Sequence, residues 1–595
     1  MFNCFLKRRF INIIVTYLPP RLTFVPYNKV SIQLYKMRMG KDVNIIGAWL
    51  NKWFYLLLSI GILVNATGLF ITILDSDGTL YACIAKTIAQ TNDFVNLKVQ
   101  GQDWLDKPHF PFWMAAISYK VFGINTFAYK LPAFLFWAMG AVYTFLFANK
   151  FYGKSVAQLS VLMYVTATHL FISNNDVRAE PYLTGLLIGA VYHYYLASVT
   201  KKWVKDIAIA SLYAGCALMT KGPFILIAIG GGFIIEWILK KEWNQFYSIK
   251  WLIAILLIFV FTLPELYCLY QQFDLHPEKV VFNRTGVSGV HFFWWDSQFG
   301  RFFNNGPIKG EGDKFFYLHT ILWAFLPWSL LFYMSFGWKV WSIKVAPKLN
   351  EFITLGGGGL MFLVFSLSKF QLPHYLNILF PFFSIITAQF FLQVSMPVVV
   401  TIIRWVQYVL IVAMLLIMAL LLIFYRPENY FLAIILFAST TTACLLLFNK
   451  DTLSEAFGKS FVAATGVYLF LNTCVYPSLM QYQAGSKAAV YVNNQFPDVV
   501  SATMFNENSY SFTFYTKKAI FFGNLDTLKS RAKQTPVIVY TNKQGLDSLK
   551  KIGFSTNIPR AFNFFHASEL TGTFINYRTR ESELKQHYVV KVAYR

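Results

Sequence analysis

Apolar runs of roughly 20 residues, the length a helix needs to cross a bilayer, recur along this chain. They lie near positions 48–74, 128–148, 156–172, 181–199, 206–219, 223–239 and 251–270, then near 316–337, 352–367, 374–393, 403–424, 430–448 and 460–480. The pattern predicts an α-helical polytopic membrane protein with about thirteen transmembrane helices. Two long intervals, about 75–127 and 271–315, interrupt the series. In the first, 80–89 repeats apolar positions at helical spacing and 111–122 is aromatic-rich and amphipathic, which predicts helices lying on the membrane surface. From about Gln481 the period changes: the β-branched runs 488–492, 499–505 and 537–541 predict strands, and 544–551 predicts a surface helix. A small α/β domain over 481–595 follows.

Composition agrees with a membrane protein, since 56% of the 595 residues are hydrophobic and only 13% are charged. Orientation follows from the cations, because loops rich in Lys and Arg resist translocation. The basic segment 1–46 carries Lys7, Arg8, Arg9, Arg21, Lys29, Lys36, Arg38 and Lys41. With that segment inside, Lys150/Lys154, Lys201/Lys202/Lys205, Lys240/Lys241/Lys250, Lys339/Lys344/Lys348, Arg404 and Lys450/Lys459 all fall on the same inner side. The long loops and 481–595 then lie outside. The net charge of +24 is accounted for by this topology and by attraction to anionic membrane lipids, with no nucleic-acid partner. The first 38 or so residues lack a small-residue cleavage site, so no signal peptide is expected, and Met37 or Met39 is an alternative start.

Six scattered cysteines, Cys4, Cys83, Cys216, Cys268, Cys444 and Cys474, have neither disulfide-framework nor metal-ligand spacing. No metal and no cofactor is expected. The Gly356–Gly359 run within a predicted span suits close helix approach. With no preceding strand and no Lys-Ser/Thr after it, it does not read as a phosphate loop.

Under this topology the isolated ionisable residues at helix ends gather on the outer side. They are Asp75, Asp77, Asp106 and Lys107, then Asp176, Arg178 and Glu180, Lys221, Arg284 and Arg301, and finally Lys369 and His374. Charges near a bilayer persist mainly where they pair or line a wet cavity. Asp77 stands at a predicted helix start, where a carboxylate either caps the helix or accepts a proton from an attacking hydroxyl. Lys107, stiffened by Pro108, either reaches to lipid headgroups or holds a phosphate. Asp176, Arg178 and Glu180 read as a local ion pair or as a second acidic group facing the first. Lys221 before Gly222-Pro223 is a turn residue or a ligand contact, and Lys369 to Tyr375 repeats the combination of Lys, Pro and aromatics.

These motifs resemble the C-type integral-membrane glycosyltransferases of the protein O-mannosyltransferase and lipid A aminoarabinose transferase group. The likeness covers about 45–480. It rests on Asp77-Gly-Thr-Leu-Tyr81, Trp104-Leu-Asp-Lys107-Pro108, Phe122-Gly123 and Lys130-Leu-Pro132, supported by Val177-Arg178-Ala-Glu180, Lys221-Gly-Pro223, Phe325-Leu-Pro-Trp328 and Lys369 to Tyr375. The sequence departs from the family pattern at His109, Lys130 and Glu180. The resemblance implies inverting transfer of a sugar from a polyprenyl-phosphate donor to a lipid A-like glycolipid, envelope glycan or protein hydroxyl, at the periplasmic face of a bacterial inner membrane. Expected catalytic carboxylates are Asp77, Asp75, Glu180 and Asp176. Expected donor-phosphate ligands are Lys107, Arg301, Lys369 and Lys221, and expected acceptor or sugar contacts are Tyr81, Arg178, His374 and Tyr375. A transporter or flippase of lipid-linked sugars is the competing reading, and internal repeats with broken midplane helices would mark it.

Overall fold

A computed structural model describes residues 29–75, 77–345, 351–448 and 452–594. Of the basic amino-terminal segment, 1–28 lies outside the described residues, as do Lys348 and Lys450. Residues 29–46 continue the first span backwards in one helix, α1 (Lys29–Ala66). Each predicted span holds a helix. In order these are α1, α4 (Thr126–Tyr152), α5 (Lys154–Val165) with α6 (Thr168–Asn175), α7 (Glu180–Val199), α8 (Val204–Lys221), α9 (Ile225–Lys240) and α10 (Ile249–Leu269). They continue as α11 (Phe316–Ala324) with α12 (Ser329–Val345), α13 (Ile353–Leu367), α14 (Phe380–Gln393), α15 (Pro397–Leu420), α16 (Tyr430–Leu446) and α17 (Leu453–Phe470).

Among the described residues, six helices are long and apolar enough to cross a membrane, and α5 with α6, bent by 50°, makes a seventh if counted as one span. The chain is therefore a multi-pass membrane protein. The remaining helices at predicted positions are shorter or carry charged, Tyr and His side chains that lower their hydropathy. Lys339, expected in an inner loop, is instead fully buried in α12, and its Nζ donates to Tyr152 Oη at 3.2 Å and Gln389 Oε1 at 3.0 Å, joining three helices. Burial of an ammonium is tolerated because its donors are paired.

The glycine run acts as expected. A Cβ at Gly357 would sit 2.7 Å from the Ala228 carbonyl oxygen, so only glycine lets α13 lie this close to α9. Lys130, in the first turn of α4, is buried and donates to the carbonyl oxygens of Gly68 and Ile71 at 3.0 and 2.8 Å. That contact satisfies acceptors left over where the first span ends.

The interval after the first span folds into α2 (Asp77–Thr91), a two-strand hairpin β1 (Lys98–Val99) and β2 (Gln102–Asp103), and α3 (Phe110–Phe122). A helix forms at each of the two expected positions. They pack together through Tyr81 and Phe112, whose rings meet edge to face at 5.4 Å. The second interval turns through π-helical segments at Tyr270–Asp274 and Phe292–Gly300.

Beyond the bundle lies an α/β domain. It contains α18 (Ala484–Gln495), β3 (Ser501–Phe505), α19 (Tyr510–Tyr515), β4 (Ala519–Ile520), α20 (Leu525–Gln534), β5 (Val537–Asn542), α21 (Lys543–Lys551), β6 (Ser555–Thr556), β7 (Arg560–Phe564) and β8 (Lys585–Ala593). The sheet order is β4-β3-β5-β8-β6, with β7 also on β8; β3 runs parallel to β4 and β5, and β8 antiparallel to its partners. The strand expected over 488–492 is instead part of α18. Ala484, Ala488, Ala489 and Val492 are buried together at helical spacing, and that face outweighs the β preference of the short Val-Tyr-Val run.

Candidate functional site

Asp77 is the first residue of α2, and its Oδ2 accepts a hydrogen bond from Arg178 Nη1 at 2.7 Å. The same guanidinium donates through Nε to Asp176 Oδ2 at 3.0 Å. Arg178 is thus aimed by one carboxylate at the other, and 45% of the Asp77 side chain stays exposed. Burial opposes the Arg178 charge, but the flanking acids Asp176 and Asp77 outweigh it and hold its pKa above the ordinary value. Tyr81, one turn on from Asp77, is buried on the same side.

Asp106 joins two cations. Its Oδ2 lies 2.5 Å from Lys107 Nζ, and its Oδ1 accepts from Arg301. Burial pushes the Asp106 carboxyl up, but Lys107 and Arg301 together bring it below the usual carboxylate value. Burial, with Arg301 nearby, pulls the Lys107 ammonium below the ordinary lysine value despite Asp106. The turn carrying Lys107 is locked one residue beyond Pro108. The His109 backbone N–H donates to Glu265 Oε2 at 3.0 Å, its Nδ1 lies 3.0 Å from Glu265 Oε1, and its Nε2 lies 3.0 Å from the Val95 carbonyl oxygen. Both side chains of the His109–Glu265 pair are inaccessible to solvent.

A third group forms where α7 starts and α8 ends. Glu180 pairs with Lys221 and has His374 Nε2 at 3.7 Å, while Lys221 Nζ sits 3.5 Å from the centre of the Tyr375 ring, a cation–π contact. Gly222 ends α8 at φ +97°, a conformation that favours glycine. A Cβ there would also come within 2.3 Å of Gln298 Nε2, which donates to the Lys221 carbonyl oxygen at 3.0 Å. Arg301 lies 5.4 Å from the Phe370 ring centre.

All three groups face one cavity of about 130 Å³, whose wall includes Asp77, Tyr81, Trp104, Asp106, Lys107, Arg178, Glu180, Lys221, Arg301, Phe370, His374 and Tyr375. Next to it opens an apolar slot of about 70 Å³ walled by Phe224, Ile225, Met361, Val364, Phe365 and Ile378, and Lys221 and Arg301 line both spaces. A site of this shape suits a ligand with an anionic head and a hydrocarbon tail. Among the described residues, no three His, Cys, Asp or Glu side chains are grouped to hold a metal ion.

Nine of the residues expected from the sequence line the cavity: Asp77, Glu180, Lys107, Arg301, Lys221, Tyr81, Arg178, His374 and Tyr375. Three do not. Asp176 stands one contact back, behind Arg178. Asp75 turns away from the cavity towards the α/β domain, bonding Thr79 and Ser511. Lys369 is exposed off the wall, and its backbone N–H donates to the Phe302 carbonyl oxygen at 3.1 Å. Arg284 is also exposed, away from the cluster. Two further acids belong to the site beyond those expected: Asp106, the partner of Lys107 and Arg301, and Glu265, which holds His109. A lone carboxylate inside the apolar run 251–270 was the available signal for Glu265.

A family model described as dolichyl-phosphate-mannose-protein mannosyltransferase matches residues 106–268. An uncharacterized protein of Aquifex aeolicus (strain VF5) is 26% identical over 321 residues, covering 52% of this chain and 58% of the relative. An undecaprenyl phosphate-alpha-4-amino-4-deoxy-L-arabinose arabinosyl transferase of Edwardsiella ictaluri (strain 93-146) is 24% identical over 305 residues, covering 50% of this chain and 52% of the relative. The chain spans a little over half the length of these curated relatives. The crystal structure of ArnT from Cupriavidus metallidurans bound to undecaprenyl phosphate superposes with a TM-score of 0.67 at 15% identity, covering 91% of this chain and 98% of that one. That likeness is one of fold.

Proposed function

We propose that this chain, which shares the fold of a C-type membrane glycosyltransferase and is similar to the protein O-mannosyltransferases and aminoarabinose transferases, performs inverting sugar transfer from a polyprenyl-phosphate donor at the periplasmic face of a bacterial inner membrane. One observation carries this reading: the cations Lys221 and Arg301 line both a charged cavity and the apolar slot beside it. A polyprenyl phosphate has the matching chemistry, an anionic phosphate joined to an isoprenoid chain. The names of the relatives that transfer a sugar from undecaprenyl phosphate support the same donor class.

In this mechanism Lys107, Arg301 and Lys221 bind the donor phosphate, and charge-assisted hydrogen bonds stabilise it as the leaving group. An acceptor oxygen bonds to the anomeric carbon on the face opposite the phosphate. The bond from that carbon to the phosphate oxygen breaks, its electron pair stays on the phosphate, and configuration inverts. Asp77, oriented by Arg178, takes the acceptor's proton; where the acceptor is already an anion, Asp77 only positions it. Glu180 holds Lys221 and His374 in place beside Tyr375. The acceptor class is a hydroxyl or phosphate of a lipid A-like glycolipid, an envelope glycan or a protein.

The test incubates purified protein with polyprenyl-phosphate sugars and a lipid A-like glycolipid acceptor and measures free polyprenyl phosphate. Wild type is expected to release it, with Asp77→Asn slower by about 100- to 10,000-fold for a hydroxyl acceptor. Equal release by wild type, Asp77→Asn and Lys107→Ala rejects the site. Movement of the lipid-linked sugar across the bilayer without bond cleavage rejects the reaction in favour of transport.

A further inference from the structure

The side of α2 that faces away from the cavity rests on the α/β domain, and the polar contacts between them flank Asp77 closely. On the amino-terminal side, Ile73 N–H donates to Tyr515 Oη at 2.8 Å, Asp75 N–H donates to Gln483 Oε1 at 2.8 Å, and Gln483 Nε2 returns a bond to the Ile73 carbonyl oxygen at 3.0 Å. The Ser511 hydroxyl donates to Asp75 Oδ2 at 2.8 Å, and the Thr79 hydroxyl donates to the other oxygen. Both oxygens of Asp75 are thereby used inside the protein, two residues before a carboxylate that stays open to the cavity.

The carboxyl-terminal side of Asp77 is tied to the same element. Cys83 Sγ lies 3.2 Å from the Tyr510 carbonyl oxygen. Lys86 Nζ donates to the carbonyl oxygens of Thr513, Phe514 and Thr516 at 2.8, 2.9 and 3.0 Å, closing the end of α19 with a cation where the helix dipole is negative. The support is stiff, because Ser509 caps the start of α19 and Phe512 stacks on Tyr540 of β5 at 4.8 Å. A contact set this dense fixes where the first turn of α2 points.

We propose that Gln483 and the segment Ser509–Thr516 form a positioning platform for Asp77, so that the α/β domain sets the carboxylate's aim into the cavity. The proposal rests on the reading of Asp77 as the acceptor-facing carboxylate. None of the platform residues lines the cavity, so they act through α2 and not on substrate. Among the described residues, the cations Lys107, Lys221 and Arg301 pair with Asp106 and Glu180 and not with the platform, and this separation predicts which kinetic constant moves.

The test uses the full-length protein with Ser511→Ala, the double variant Ser511→Ala/Gln483→Ala, and the conservative Ser511→Thr. Polyprenyl-phosphate release gives kcat and the donor KM, and hydrogen exchange follows the amides of residues 77–91. A displacement of about 1 Å in a catalytic group costs on the order of 100-fold. The double variant is therefore expected to lose about 100-fold in kcat with an unchanged donor KM and faster exchange in α2, and Ser511→Thr, which keeps the hydroxyl, is expected to hold both at wild-type values. A change only in acceptor KM, with kcat and exchange unaltered, overturns the platform and makes the domain an acceptor-binding unit. If wild type releases no polyprenyl phosphate from any donor, the proposed reaction fails, but exchange still decides the platform: unaltered protection in the double variant overturns it.

Discussion

On the proposed mechanism the donor phosphate must compete with Asp106 for Lys107 and Arg301, so neighbouring substitutions are expected to act in opposite directions. Asp106 lies against Lys107 and Arg301, all three partly withdrawn from solvent, with side-chain exposures of 17%, 19% and 13%. A unit-charge pair at about 4 Å is worth about 4 kcal/mol at an effective dielectric of about 20. The open cavity screens this, and a repulsion between Asp106 and an incoming phosphate on the order of 1 kcal/mol is the appropriate scale. Lys107→Ala removes one charge-assisted hydrogen bond, worth about 1.5–3 kcal/mol, and should weaken polyprenyl-phosphate binding by about 10- to 150-fold. Asp106→Asn leaves both cations in place without their internal anion. It should tighten binding by about fivefold, the equivalent of that 1 kcal/mol. Equilibrium binding of polyprenyl phosphate to detergent-solubilised protein measures both. If Asp106→Asn weakens binding as Lys107→Ala does, Asp106 acts by holding Lys107 in position, and the competition argument is wrong.

Three further outcomes follow from the same geometry. A phosphodiester donor carries one negative charge throughout the neutral and alkaline range, so loss of donor affinity at high pH reports the protein; Lys107, held below its ordinary 10.5, should lose its charge and its grip at lower pH than a free lysine, and Lys107→Arg should move that loss upward in a binding-versus-pH series. The Asp106 carboxyl sits below its ordinary 3.8, so its contribution to stability is complete above that pH and is lost as pH falls through the lower folded value; acid unfolding of Asp106→Asn should lack that component. Glu265→Ala strands His109 in a solvent-free site and should cost about 3–5 kcal/mol in denaturant unfolding, whereas Glu265→Leu with His109→Phe should recover part of it, and an unaltered Glu265→Ala would remove the buried pair from the account.

The chain's alphabet of apolar runs, breaks and cations was enough to establish a helix in each predicted span and nine of the cavity-lining side chains. Those features are local: a run of some 20 apolar residues or a charge at a helix end carries its meaning in its immediate neighbours. Lys107 beside Pro108, and Glu180 before Pro181, were readable for that reason. What a given carboxylate faces is not local. Asp75 and Asp77 stand two residues apart at the start of one helix, yet Asp75 is consumed by Ser511 and Thr79 while Asp77 meets Arg178 across the cavity. Glu265 and His109 are 156 residues apart and become partners only when α10 passes the Lys107 turn. The strand expected over 488–492 failed for a related reason, because burial of Ala484, Ala488 and Val492 on one helical face is a tertiary fact that outweighs a short β-branched run. Residue type and spacing supplied the charges, and packing of distant segments decided which of them meet.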